Sequence, residues 1–327
     1  MLRALYYQGN GDLLSIIEPE GYAAALQNKA GVLWVDFGGE EPEPTEEILL
    51  KTFEFHPLAI DDALHETHVP KVDDWERYLY IAMHAISFTS GEEDIEGIEL
   101  DIFLGENFII THHDLPIDAL NRVWDVCTKD ARHFRRGADH VLYKLTDELI
   151  VDYMQVVETL DEEIELVEDE VMGRPTSQVV QRIFTLKRAT LHLRRVLSPL
   201  REVLNKLARD DYAVIDAKDR VYFRDVYDHL VRLQDLNESM RDLVSGALDI
   251  YLSVINNRMN DVMKTLTAVT TLFMPISFIA GFFGMNFFQP TANLLAWTSR
   301  PAFYVMLAVT LAVPVGMFLW MHRRTWV

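Results

Sequence analysis

No proline falls between Pro199 and Pro275, and Gly246 is the one glycine in that interval. Proline removes a backbone donor and glycine weakens a helix interior, so the stretch Asp219 to Asn286 is predicted as one continuous helix. At ~1.5 Å per residue it would be on the order of 100 Å long, roughly three bilayer cores. Only its end can lie in lipid. That end, Leu266 to Phe283, is apolar apart from hydroxyls and small residues, and the uncharged run continues from Thr265 to Ser299.

One face of this helix carries Asp249, Ser253, Asn256, Asn260, Met263, Thr267, Thr270, Met274, Ser277 and Gly281. The steps alternate between four and three, the period of a coiled-coil seam, yet every residue is polar, small or a methionine. Leu, Ile, Val and Phe flank it. Hydroxyls and amides in hydrocarbon need partners, so the stripe implies several copies of the helix around a common axis, polar seams toward water and apolar faces toward neighbours and lipid. Close packing of small residues would explain the Ser, Thr and Gly within the span. It does not require Asn256 and Asn260, which continue the stripe below the apolar part.

A second apolar run, Ala302 to Met321, is followed at once by His322, Arg323 and Arg324. Arg258 and Lys264 precede the first run and Arg300 stands alone between the two, which predicts both termini on the cytoplasmic side of a cell (inner or plasma) membrane. Trp297, Trp320 and Trp326 are placed as interfacial anchors. No signal peptide is recognised at Met1 to Tyr7, so the large N-terminal part is expected in the cytoplasm. The formal charge of −21 argues against nucleic acid and suits a surface that gathers cations. Cys127 is the single cysteine, which excludes an intrachain disulfide and four-cysteine zinc modules.

Residues 1–136 alternate strand and helix signals. Val32–Phe37, Arg77–Ile86 and Glu99–His112 read as strands, the last with a turn at Gly105-Glu106-Asn107; Thr45–Phe55, Pro57–Glu66 and Pro116–Phe134 read as helices. No phosphate-binding glycine loop or nucleophile elbow is present, and no enzymatic activity is expected. His65-Glu66-Thr67-His68 lacks the order and third ligand of a zinc helix and reads as a structural loop, as does His112-His113-Asp114. Residues 137–215 read as an antiparallel helical hairpin broken at Gly173-Arg174-Pro175-Thr176. Between Leu145 and Gly173 it holds eleven Asp or Glu and no Lys or Arg, either a solvated face, a cation reservoir or a partner for Arg323 and Arg324.

The run Phe273-Met274-Pro275-Ile276-Ser277-Phe278-Ile279-Ala280-Gly281-Phe282-Phe283 leads into Gly284-Met285-Asn286. This combination resembles the signature of the CorA family of magnesium channels, also called the two-span Gly-Met-Asn family. The resemblance extends over essentially the whole chain, through His56-Pro57-Leu58, Pro70-Lys71-Val72, Tyr222 to His229 and the basic, aromatic tail. It implies a funnel-shaped homopentamer: an α/β cytoplasmic domain (1–136), the hairpin (137–215), a stalk (216–265), a first span (266–283), an external loop (284–301), a second span (302–321) and a basic tail (322–327).

By resemblance, Gly284, Met285 and Asn286 form the selectivity filter. Five amide oxygens can hold a hydrated ion through its waters, which suits magnesium because it sheds water reluctantly. Met263, Leu266 and Met274 would form hydrophobic constrictions, and Asp249, Asn260 and Ser277 polar rings; Asn256 and Thr270 continue the lining. Asp225 matches a ligand for regulatory magnesium between cytoplasmic domains, with Glu92 as its expected partner. Arg323 and Arg324 would form a basic ring. One departure is the stretch Phe287 to Thr291, which carries no acid where family members often have one. The implied function is passive, potential-driven uptake of magnesium, with cobalt or nickel, gated by internal magnesium. A zinc transporter of the same superfamily is the alternative, and a membrane-anchored sensor or scaffold a more distant one.

Overall fold

The computed structural model describes residues 2–14, 18–65, 68–87, 95–173, 176–284 and 300–323. Contacts divide the chain into two units, Met1–Leu248 and Asp249–Val327.

The first unit is built on a seven-stranded sheet. Its strands are β1 (Leu2–Tyr7), β2 (Leu13–Leu14), β3 (Val32–Gly38), β4 (Lys71–Asp74), β5 (Tyr78–Ser87), β6 (Glu96–Gly105) and β7 (Phe108–His113). They lie in the order β2-β1-β3-β7-β6-β5-β4. β3 and β7 run parallel and every other pair is antiparallel. β3 is buried from Val32 through Phe37, as a strand covered on both faces must be. The β6–β7 turn is tight: a Cβ on Gly105 would come within 2.2 Å of the Phe108 ring, so any larger residue there would have to displace that ring.

Helices α1 (Pro19–Gln27), α2 (Pro42–Lys51) and α3 (Pro57–His65) cover one face, over a core of Leu33, Val35, Phe37, Leu49, Phe53, Phe55, Tyr80 and Phe103. Phe55 stacks on Phe103 at 4.4 Å. On the other face α4 (Asp118–Lys129) brings Trp124 to within 4.8 Å of Trp34. There the Trp34 indole donates to Thr111 Oγ1 at 3.1 Å, and that hydroxyl donates to the buried Asp36 carboxylate. Arg3 closes the chain with its Nε 2.8 Å from Asp36 Oδ2 and its guanidinium over Trp124.

Two long helices follow, α5 (Ala138–Gly173) and α6 (Ser177–Arg209). Tyr153 of α5 donates to the His84 carbonyl of β5. Arg182, near the start of α6, bridges Glu163 and Glu170 near the end of α5, which fixes the hairpin as antiparallel. Helix α7 (Arg220–Gly284) then runs for 65 residues. Within the first unit it buries Phe223, Val226, Leu230, Leu233, Asn237, Met240, Val244 and Ala247, a second stripe of alternating threes and fours. Asn237 Nδ2 donates to the Thr190 carbonyl of α6.

The second unit holds the rest of α7 and α8 (Arg300–Arg323). Both helices contain a stretch long and apolar enough to cross a membrane, with mean hydropathy 1.6 and 2.0. Ala268 of α7 and Met321 of α8 are buried.

Several boundaries differ from expectation. The helix expected over Pro116–Phe134 stops at Lys129, because the Asp130 carboxylate accepts from the Arg132 backbone and side chain and turns the chain. A single 3-10 turn, Phe134–Arg136, and Gly137 at φ +123° then lead into α5. The helix expected from Thr45 begins at Pro42, whose fixed φ suits a first turn, and ends at Lys51. α1 and β4 carry signals too short to read from the sequence alone. Of the long helix, Met285 and Asn286 lie outside the described residues.

Candidate functional site

All ten residues of the polar seam, Asp249, Ser253, Asn256, Asn260, Met263, Thr267, Thr270, Met274, Ser277 and Gly281, are exposed on α7. So is Leu266, at 59%, beside Met263 at 56% and Met274 at 67%. Between Leu266 and Phe282 the half-covered residues are Thr271, Leu272, Pro275, Ile276 and Ile279, on the same face as the buried Ala268. At ~100° per residue the seam lies roughly 150° around the helix from that covered face. A cavity lined by Asn257, Asn260, Met263, Lys264, Thr267 and Met321 opens beside it.

The seam's polar groups differ in what they need. The Thr270 hydroxyl donates to the Leu266 carbonyl at 2.8 Å, within its own helix, and is satisfied without water. The amides of Asn256 and Asn260 are exposed, each with two donors and an acceptor to satisfy. The stripe therefore ends toward the first unit in amides open to solvent. Gly284 is the last residue of α7. Met285 and Asn286 lie outside the described residues, as do Glu92 and Arg324; Arg323 is the final residue of α8.

Asp225 is exposed on the part of α7 that belongs to the first unit. It lies close enough to Tyr143 of α5 to act on its hydroxyl, which burial first, then Asp147 and Asp225, push up to about 12. Carboxylates from α5 and α7 thus share one surface.

The structure brings the two histidine motifs to one polar cavity of about 260 Å³, lined by His65, Glu99, Asp101, His112 and His113. His112 Nδ1 lies 3.7 Å from Asp101 Oδ2, and His113 Nε2 lies 3.4 Å from Asp36 Oδ1. Tyr80 donates to Asp101 Oδ1 at 2.6 Å. The His68 backbone donates to Glu99 at 2.9 Å. Burial lifts Glu99 to about 7, and Asp101 adds to it. Burial would raise Asp36 as well, but the close approach of His113, with the Thr111 hydrogen bond and Arg3, outweighs it and holds that carboxyl down. These groups form a network of pairs, and among the described residues the one set of three ligand atoms within metal-binding distance lies elsewhere. On the hairpin, Glu148 and Asp152 pair with Arg122, and Glu163 and Glu170 with Arg182. Part of the expected acidic face is therefore engaged by the protein's own cations.

Comparison with known proteins places this geometry. The family model described as CorA-like Mg2+ transporter protein matches residues 29–323. The cobalt/magnesium transport protein CorA of Thermotoga maritima is 35% identical over 300 residues, 90% of this chain and 83% of that protein. The complete structure of the CorA magnesium transporter from Methanocaldococcus jannaschii superposes with a TM-score of 0.82 at 26% identity, covering 100% of this chain and 99% of that one. The ZntB cytoplasmic domain from Vibrio parahaemolyticus shares the fold alone, with a TM-score of 0.63 at 10% identity over 78% of this chain and 99% of that one. The α/β sheet, the long helix and the two apolar helices are those of this group, and the chain belongs to the family of CorA-like Mg2+ transporter proteins.

Proposed function

We propose that the chain forms a homopentameric channel in the cell membrane for passive, potential-driven uptake of hydrated divalent cations, magnesium foremost and cobalt with it. The observation that carries this is the exposed ten-residue polar stripe on α7, set away from the Ala268 face and leading toward Gly284-Met285-Asn286. A tether has no use for Asn256, Asn260 and Ser277 in register. Five copies with stripes inward give each amide and hydroxyl an aqueous partner, and place the Leu, Ile and Phe flanks against neighbours and lipid. The names of the relatives from Thermotoga maritima and Methanocaldococcus jannaschii support magnesium and cobalt.

In this reading residues 266–283 and 302–321 span the bilayer, 284–301 form the outer loop, and both termini are cytoplasmic. Asn286 binds the ion through its waters, with Gly284 and Met285 shaping the loop. Met263, Leu266 and Met274 narrow the path; Asp249, Asn256, Asn260, Thr270 and Ser277 hydrate it. Arg323 and Arg324 ring the cytoplasmic mouth. No ATP is needed, because an inside-negative potential favours entry of a double charge by about 4.6 kcal/mol per 100 mV. Internal magnesium between Asp225 of one chain and Glu92 of a neighbour closes the channel.

Two tests bear on this. Magnesium uptake into liposomes whose potential is set by a potassium gradient and valinomycin should rise as the interior is made more negative; uptake indifferent to potential contradicts a channel. Asp225→Lys should place a fixed cation where the regulatory ion sits, so internal magnesium should lose most of its inhibitory effect. Zinc uptake in place of magnesium would move the protein to the zinc branch, which the likeness to ZntB supports only at the level of fold.

A further inference from the structure

The segment between α6 and α7 carries Asp216 and Asp219, which meet Asp139 from the first turn of α5. One carboxylate oxygen from each lies within 4.8 Å of the other two. Asp139 is 5% exposed and Asp219 fully buried, whereas the Asp216 side chain is 58% open to solvent. Asp139 has a structural duty: its Oδ1 accepts from the His140 amide and its Oδ2 from the Asp216 amide, both at 2.9 Å. Each of those oxygens keeps a further lone pair. Arg136 Nη2 donates to Asp219 Oδ1 at 3.0 Å, and Lys218 pairs with Asp216.

Two buried atoms remain unexplained by these contacts. Asp219 Oδ2 is shut from solvent and accepts no hydrogen bond. His140, 4% exposed, aims an Nδ1 without a hydrogen-bond partner at the same carboxylate, 3.5 Å from Oδ1. An orphaned carboxylate oxygen in a closed site carries its full desolvation penalty with nothing to offset it. Arg136 and Lys218 are 40% and 63% exposed, and neither reaches Oδ2.

We propose that Asp139, Asp216 and Asp219 hold one divalent cation within each chain. Three carboxylate oxygens are hard donors, which suit magnesium, manganese or calcium. The open side at Asp216 admits the waters that magnesium retains. The site joins the first turn of α5 to the start of α7, the helix that carries the polar stripe. It lies inside one chain and shares no residue with Asp225 or Glu92. As a device for sensing internal magnesium it rests on the channel reading; as a cation site it does not.

The test counts bound manganese by electron paramagnetic resonance on full-length protein in detergent, with magnesium as competitor. Wild type is set beside Asp216→Asn, Asp219→Asn and Asp225→Asn. Asp216→Asn and Asp219→Asn should each remove one manganese per chain, or weaken it by at least roughly tenfold, and Asp225→Asn should leave that ion in place. Asp219→Asn also disturbs a buried pair with Arg136, so Asp216→Asn, on an exposed side chain, carries the decision; its unfolding in EDTA should match wild type. Unchanged manganese count and affinity in Asp216→Asn overturns the site, as does loss of the same ion in Asp225→Asn. Absence of flux in liposomes would overturn the channel and leave the count standing.

Discussion

Two stripes on α7 share one period and have opposite fates. From Phe223 to Ala247 the helix presents Phe, Val, Leu, Leu, Asn, Met, Val and Ala, every one buried. From Asp249 to Gly281 it presents Asp, Ser, Asn, Asn, Met, Thr, Thr, Met, Ser and Gly, every one exposed. Periodicity tells which side chains share a face; their chemistry tells what that face requires. The first stripe is dry and is closed by the chain's own helices. The single amide within it, Asn237, donates from Nδ2 to the Thr190 carbonyl. The second stripe is polar, small or methionine throughout, and none of the described residues of one copy buries it.

A polar residue placed in the dry stripe should have the largest effect. Leu230 is fully buried, and Leu230→Asn loses its burial and strands an amide, at a cost of about 3–5 kcal/mol. Thermal or denaturant unfolding of the purified protein reads it; a cost below about 1 kcal/mol would mean the stripe is not closed as described. A pH scan comes next, because burial in the covered region shifts the titration of Glu99. Glu99 titrates near about 7 against ~4.3 in an unfolded chain. The folded state therefore holds the extra proton between those values, and its stability should fall as pH rises through that window and level off above it. With the Glu99 side chain 14% exposed, the change is worth roughly 1–3 kcal/mol. Glu99→Gln should flatten the slope, and an unchanged slope would remove Glu99 as its source.

The smallest effect on stability belongs to the wet stripe. Ser253→Cys, Asn260→Cys, Thr270→Cys and Ser277→Cys should each alter stability by less than about 0.5 kcal/mol, yet all should react with water-soluble thiol reagents. Burial, and then Asp130, push the native Cys127 thiol up to about 12, so it should stay silent. Ala268→Cys, on the covered face, should label poorly. Equal labelling on both faces would erase the distinction between them.

Much of this was legible in the sequence. The long helix, the two apolar runs and the strands at Val32, Arg77 and Glu99 announce themselves through proline spacing, length and alternation. The polar stripe does too, because ten positions in register outlast any accident of local composition. The stop at Lys129 was hidden because it rests on one Asp130 side chain turning back on Arg132. The meeting of His65 with His112 and His113 in one cavity depends on strand order, which periodicity does not encode. The Asp139, Asp216 and Asp219 cluster was invisible for the same reason: two of its members stand about eighty positions apart in sequence from the third, and tertiary packing alone unites them. The paired carboxylates of the hairpin looked free because their arginines, Arg122 and Arg182, lie outside the acidic run.

The most direct measurement is magnesium flux into liposomes under an inside-negative potential, wild type beside Asn286→Ala, with cobalt and zinc offered separately and residual internal magnesium removed. The expected result is magnesium entry through the wild type, abolished in the alanine variant. Magnesium entry at the same rate through both proteins would contradict the filter at Asn286, and zinc entry with magnesium excluded would contradict the choice of ion.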